Sequence, residues 1–208
     1  IGNYSLETLT EGDYNTAVGY NAMNSATTGF QNVAIGNEAM KSTTTGYANI
    51  ALGRQALYAN TTGIANSAIG YQALNNNTTG DFNTATGHMS LEGVTTGDSN
   101  TATGYKAGEG ISTGTRNIAI GISALDAANT ENDNLAIGYD ALGGAVNGGE
   151  YNVAVGNYSM DALTSGDENT AVGFDAMTAN TSGFNNTALG KDAMDALTQG
   201  SHNVAIGN

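Results

Sequence analysis

The sequence predicts an all-β fold: a β-solenoid, or β-roll, of twelve 17-residue coils with two short strands per coil, assembled as a parallel homotrimer. Three observations carry this expectation. Asn15, Asn32, Asn49, Asn66, Asn83, Asn100, Asn117, Asn134, Asn152, Asn169, Asn186 and Asn203 stand seventeen residues apart, with one eighteen-residue step, and each opens an Asn-x-Ala-x-Gly pentad. Within the pentad, branched residues alternate with small ones, the period of a strand. Glycine recurs too often for any stretch to hold the three-and-four spacing of an amphipathic helix. A unit this short cannot bury its own apolar face and must stack on its neighbours.

Each element of the coil follows in order. Asn32-Val33-Ala34-Ile35-Gly36 and Asn49-Ile50-Ala51-Leu52-Gly53 are the first strand, with positions two and four on one face and Asn, Ala and Gly on the other. Position three is Ala in all twelve units, from Ala17 to Ala205, which implies a steric limit where two sheets or two chains approach closely. The glycine at position five ends the strand, where positive φ or close backbone approach is required. Three residues later come pairs such as Ala22-Met23, Ala56-Leu57 and Ser90-Leu91, read as the second strand and the main core filler. Gly108 stands where Leu or Met belongs, so a cavity or kink is expected there. Turns such as Thr27-Thr28-Gly29 and Thr61-Thr62-Gly63 close the unit. Glu131 replaces that glycine once, and the inserted residue falls between Gly143 and Gly149.

Stacking in register should align like residues, giving an amide ladder of anchor Asn and a hydroxyl ladder of turn Thr. A core of Ala with Leu or Met is thin, and positions two and four carry apolar residues on the opposite strand face. That second face also wants cover, which is the reason to expect lateral association, most simply three chains about the fibre axis. Residues 1–208 read as a single repeat array, a window of a longer fibre, because Ile1-Gly2-Asn3 shares the phase of Ile206-Gly207-Asn208.

Composition narrows the function. With no cysteine, disulfides play no part. A net charge of −14, dispersed along the array, excludes nucleic acid as a partner, and no apolar run reaches the length of a membrane span, so no membrane insertion is expected in this segment.

The pentads Asn32 to Gly36, Asn117-Ile118-Ala119-Ile120-Gly121, Asn152-Val153-Ala154-Val155-Gly156 and Asn203-Val204-Ala205-Ile206-Gly207 resemble the Val-Ala-Ile-Gly core of head repeats in trimeric autotransporter adhesins. The longer pattern Thr-Gly-x-x-Asn-Thr-Ala-x-Gly-x-x-Ala-Leu also resembles repeats of phage and bacterial tail-fibre-type proteins. The first resemblance implies left-handed β-rolls assembled as trimers, and both imply a surface fibre used in attachment. The adhesin repeat is shorter, so handedness and cross-section are not carried over with it.

The candidate ligand-binding residues are an aromatic row after the pentad glycine: Tyr20, Tyr71, Tyr105, Tyr139 and Phe174. Such rows stack on sugars or on a partner, or else cap the edges of the roll. A further aromatic set, Phe30, Tyr47, Phe82, Tyr151 and Phe184, occupies the opposite turn. Thr84 to Thr86 and Thr101 to Thr103 raise an ice-binding alternative, though Val, Ile and Leu hold position four in the other ten units. Gly-Asp-x-Asn turns, as at Gly80 to Asn83, offer one carboxylate each, too few for calcium, and are read as Asp bonded to its own backbone. Sequons such as Asn60-Thr61-Thr62 are expected by chance. His88 and His202 lack a partnered nucleophile, so no catalytic residue, no metal and no cofactor is assigned; a tailspike-like glycan-binding or glycan-cleaving fibre is the remaining alternative. The expected function is a structural extracellular fibre or adhesin stalk, on a cell surface, a virion or a free filament. Its partners would be copies of itself and, through the aromatic row, surface glycans or a host surface.

Overall fold

The computed structural model describes residues 1–144 and 147–208. One triplet per unit forms a strand: β1 (Thr16–Val18), β2 (Val33–Ile35), β3 (Ile50–Leu52), β4 (Ser67–Ile69), β5 (Thr84–Thr86), β6 (Thr101–Thr103), β7 (Ile118–Ile120), β8 (Leu135–Ile137), β9 (Val153–Val155), β10 (Thr170–Val172), β11 (Thr187–Leu189) and β12 (Val204–Ile206). They make one parallel sheet in chain order from β1 to β12. Ala17 pairs with Ala34 and Ala34 with Ala51, and the register survives the longer coil, where Ala136 pairs with Ala154. The fold is a β-solenoid. At a strand spacing of about 4.8 Å, its sheet extends roughly 53 Å. Among the described residues there is no helix.

The first strand forms as expected, but the second does not. The Ala-Leu or Ala-Met segment follows a path of turns in which left-handed residues recur at every second position: Asn21 and Met23 have φ of 54° and 49°, Gln55 and Leu57 of 57° and 52°. Their N–H groups reach the neighbouring coils in opposite directions. Asn21 N donates to Asn3 O at 3.0 Å in the preceding coil, and Met23 N to Ala39 O at 3.0 Å in the following one. The backbone is satisfied without a strand. A left-handed residue with a Cβ costs about 1–2 kcal/mol, which burial of each Leu or Met side chain offsets. Gly108 takes the same conformation, with φ of 63°.

The core is a single row of layers. Ala17, Ala34 and their equivalents point inward, facing the fully buried Met23, Met40, Leu57, Leu74 and Leu91. The limit at position three is therefore set by the narrow interior of one coil, not by a second sheet or chain. No cavity opens at Gly108, because a Cβ placed there would lie 2.7 Å from Leu91 Cδ2 and 3.2 Å from Ile111 Cδ1. Side chains from the coil above and from the same coil fill the space that Leu or Met occupies elsewhere.

Two ladders tie the coils. Asn49 is representative: its N and Nδ2 donate to Asn32 Oδ1 at 2.9 and 3.2 Å, and Nδ2 also donates to Gly63 O at 2.8 Å. The amide thus links one coil to the previous one and closes its own coil on the turn glycine. Only a side chain with both a donor and an acceptor can do this, which is the reason for Asn. The threonine ladder differs from the expected hydroxyl chain: Thr44 Oγ1 donates to Thr61 O at 3.1 Å, and Thr61 Oγ1 to Thr78 O at 2.9 Å, so hydroxyls bond carbonyls.

Glycine at position five meets both of its expected demands. Gly19 has φ of 140°, and a Cβ on it would stand 2.3 Å from Gly36 O. The turn glycine is needed for the same close approach, as at Gly29, whose Cβ would meet Gly46 O at 2.6 Å. Glu131 is admitted at this phase where the following coil is one residue longer. Its carboxylate accepts from Asn129 N at 2.6 Å, Thr130 N at 2.9 Å and Gly148 N at 2.9 Å. The Gly143 to Gly149 stretch carries the insertion, and Ala145 and Val146 within it lie outside the described residues.

Candidate functional site

Strand alternation that turns Ala inward turns positions two and four outward. The position-four column is partly exposed along the rod, with Ile35 37%, Leu52 41%, Ile69 40% and Ile120 39% accessible, and is more covered in β8, β9 and β10. Ile50 and Ile118 continue the same face at position two. None of the residues at these two positions, in any of the twelve units, is Asp, Glu, Lys or Arg. The outer sheet face is therefore an uncharged and largely apolar stripe on a strongly acidic chain. Thr flanks Ala on both sides only in β5 and β6, so a continuous hydroxyl plane of the ice-binding kind is absent among the described residues.

The aromatic row borders this stripe at position six, and the five sequence-derived residues divide into three groups. Tyr71 and Tyr105 are joined through His88, with ring centroids 4.8 and 5.3 Å apart and planes tilted by 32° and 40°. The Arg54 guanidinium lies 5.6 Å over Tyr71, and the Lys106 ammonium 5.9 Å from the Tyr105 ring. Tyr139 and Phe174 are joined through Tyr158, at 5.2 and 6.0 Å, edge to face. The Tyr20 ring meets that of Tyr4, at 5.9 Å and edge to face. Sugar stacking needs an open ring face. Tyr71 and Tyr105 each have His88 within 5.3 Å and a cation, Arg54 or Lys106, within 5.9 Å of the ring centroid, so part of each ring is already engaged.

Sequence reasoning passed over Arg54 and Tyr158, and weighed His88 only as a histidine without a partnered nucleophile. Arg54 and His88 share the phase of Tyr71, so the signal for them was the same repeat that located the aromatics. Tyr158 belongs to position seven, and no periodic signal ties it to Phe174. At the other edge of the sheet, Phe30 and Tyr47 stack at 4.7 Å and 6°, and Phe184 packs on His202 at 5.2 Å.

Charged side chains also form columns. Glu92, Glu109 and Asp126 share position ten. Burial pushes the Glu92 and Asp126 carboxyls up, and the neighbouring Glu109 charge adds to both shifts. Lys106 is paired with Glu109 at 3.0 Å, and Lys41 with Glu38 at 2.8 Å. For Glu131, burial raises the pKa but the backbone N–H groups that its carboxylate accepts outweigh it, and the net shift is downward. The Gly-Asp-x-Asn turns use their carboxylates between coils: Asp81 Oδ1 accepts from Ile64 N at 2.8 Å and Asp98 Oδ1 from Asp81 N at 2.7 Å, so the expected bond to their own backbone is replaced by one to the preceding coil. The sequon residues Asn60, Asn77 and Asn180 are wholly buried.

Compared with family models, with curated proteins and with solved structures, the chain finds no match in any of the three. The surface that the geometry singles out is the outer sheet face with its aromatic borders.

Proposed function

We propose that this chain is a structural fibre segment or adhesin stalk, held outside the cell on a cell surface, a virion or a free filament. In this reading three parallel copies turn their outer sheet faces toward a common axis. The observation that supports it is the uncharged stripe along all twelve rungs of a chain of net charge −14. Like-charged copies repel everywhere else, so this is the face on which they can approach. The stripe measures roughly 53 Å by 10 Å, about 500 Å² per chain. A pair would remove about 1,000 Å² from water, near the lower bound of stable interfaces, and three copies about 1,500 Å² in all, shared over three contacts of about 500 Å² each. The pentad's resemblance to trimeric adhesin heads agrees with three.

The mechanism is display. Each coil contacts only its neighbours, so reach scales with the number of repeats and stiffness comes from continuous hydrogen-bond ladders. Recognition of a surface glycan or a host surface is then left to a tip or to the rings of the row outside the Tyr71–His88–Tyr105 cluster. Sedimentation velocity tests the assembly: the expected species has three times the 21.0 kDa chain mass. A chain that stays at its own mass at micromolar concentration sinks the proposal.

A further inference from the structure

The outer face is not uniform. Position four is Val, Ile or Leu in every rung except β5 and β6, where it is Thr86 and Thr103, and the same two rungs carry Thr84 and Thr101 at position two. The sheet thus carries one block of four outward threonines in the two rungs that lack an aliphatic residue at position four; the other outward hydroxyls, Thr16, Ser67, Thr170 and Thr187, stand singly at position two beside an aliphatic position four. Among the described residues none of these four hydroxyls has a hydrogen-bond partner, whereas the turn threonines Thr44, Thr61 and Thr78 each bond a carbonyl of the next coil. Thr84, Thr86 and Thr103 are exposed and Thr101 is partly so.

The geometry points to a register device: the threonine block of β5 and β6 sets the axial alignment and the parallel orientation of copies of this chain packed through their outer sheet faces. This rests on the lateral association proposed above and adds its alignment. Around a closed threefold axis parallel to the rod, equivalent rungs lie at one height, so threonine meets threonine and each hydroxyl finds another. A slip of two rungs one way sets Thr84, Thr86 and Thr103 against Ile50, Leu52 and Ile69, with only Thr101 meeting a hydroxyl, that of Ser67; the other way sets all four against Ile118, Ile120, Leu135 and Ile137. A hydroxyl buried without a partner weakens association by roughly five- to a hundredfold. Antiparallel packing with full overlap sets β5 and β6 against β8 and β7, which are Leu-Ala-Ile and Ile-Ala-Ile. Antiparallel threonine matching is reached only by leaving rungs at each end uncovered. An unbroken aliphatic column at position four would tolerate many offsets about 4.8 Å apart, so the break at Thr86 and Thr103, with Thr84 and Thr101 beside it, is what distinguishes one of them.

The chain has no cysteine, so a single spin label placed through Ser165→Cys reports the alignment directly. Ser165 is an exposed turn residue away from the outer face. Double electron–electron resonance is compared between this chain and the same chain carrying Thr84→Val, Thr86→Val, Thr101→Val and Thr103→Val. The valines are near-isosteric and suit a strand, and circular dichroism confirms that the coil is retained. The expected result is one narrow distance for the threonine chain. The valine chain should associate at least as tightly but spread over several distances, displaced in steps of about 4.8 Å along the axis. One narrow distance in both chains overturns the register device and leaves lateral association standing. A threonine chain that sediments as a monomer overturns the association itself.

Discussion

Removing one anchor amide from the middle of the array tests the account of how coils are joined. Asn100 N and Nδ2 donate to Asn83 Oδ1 at 2.9 and 3.2 Å, and Nδ2 donates to Gly114 O at 2.8 Å. Its Oδ1 accepts from Asn117 N at 3.0 Å and Asn117 Nδ2 at 3.2 Å. In Asn100→Ala the backbone bond to Asn83 survives, while Asn117 N–H and Gly114 C=O are left buried without partners. At about 1–3 kcal/mol for each of the two orphaned groups, and about 1 kcal/mol for the void, the loss is about 3–7 kcal/mol. For a chain of this length that lowers the melting temperature by roughly 10–20 °C. Asn100→Asp keeps the acceptor but, when ionised, sets a carboxylate oxygen against Gly114 O. Its folded pKa should be raised above the unfolded value, so the stability of this variant is highest below the ordinary carboxylate range and is lost as pH rises through the raised value. Urea denaturation followed by far-UV circular dichroism at pH 4.5 and 7.5 measures both effects. Hydrogen exchange over residues 83–134 locates them. If both variants lie within about 1 kcal/mol of the parent at pH 7.5, or the Asp variant is insensitive to pH, the ladder is not what joins the coils.

Two other predictions follow from the same geometry. The lowered pKa of Glu131 means that its folded-state contribution is present above the ordinary Glu value and is lost as pH falls through the depressed one; hydrogen exchange at Gly148 should quicken in that acidic window, and Glu131→Gln should abolish the change. Replacing Tyr71 and Tyr105 with Ser removes rings already engaged with His88, Arg54 and Lys106, so thermal stability should fall by about 1–3 kcal/mol while retention on surface polysaccharides is unchanged. Lost retention with an intact melting curve would restore the row as a binding platform.

Much of the fold was legible because repetition multiplies weak signals. A single Asn-x-Ala-x-Gly pentad says little, but twelve at fixed spacing specify strand, phase and stacking together, and the Asn ladder followed from alignment alone. The second strand was misread for a physical reason. Leu57 and Met23 carry Cβ atoms, so nothing in their identity signals a left-handed backbone; the one glycine in that column, Gly108, was read as a missing side chain when it was also a mark of positive φ. The aromatic row was found by phase, but how its rings group was not legible, since whether Tyr71 and Tyr105 are joined depends on what lies between them. His88 bridges that gap, and Ile122 breaks the row before Tyr139.

Periodicity in the chain is a statement about neighbours along one axis, because a constant number of residues per coil returns each side chain to the same place one layer on. Period, register, rod length and the presence of Asn and Ala columns are therefore readable from letters. Direction across the coil is not periodic. That Ala points in and Ile35 or Leu52 points out, that the turns run through left-handed residues, and that Leu91 and Ile111 close over Gly108 depend on how the backbone bends between strands. That bending is set by packing within one narrow interior, where side chains compete for the same few ångströms.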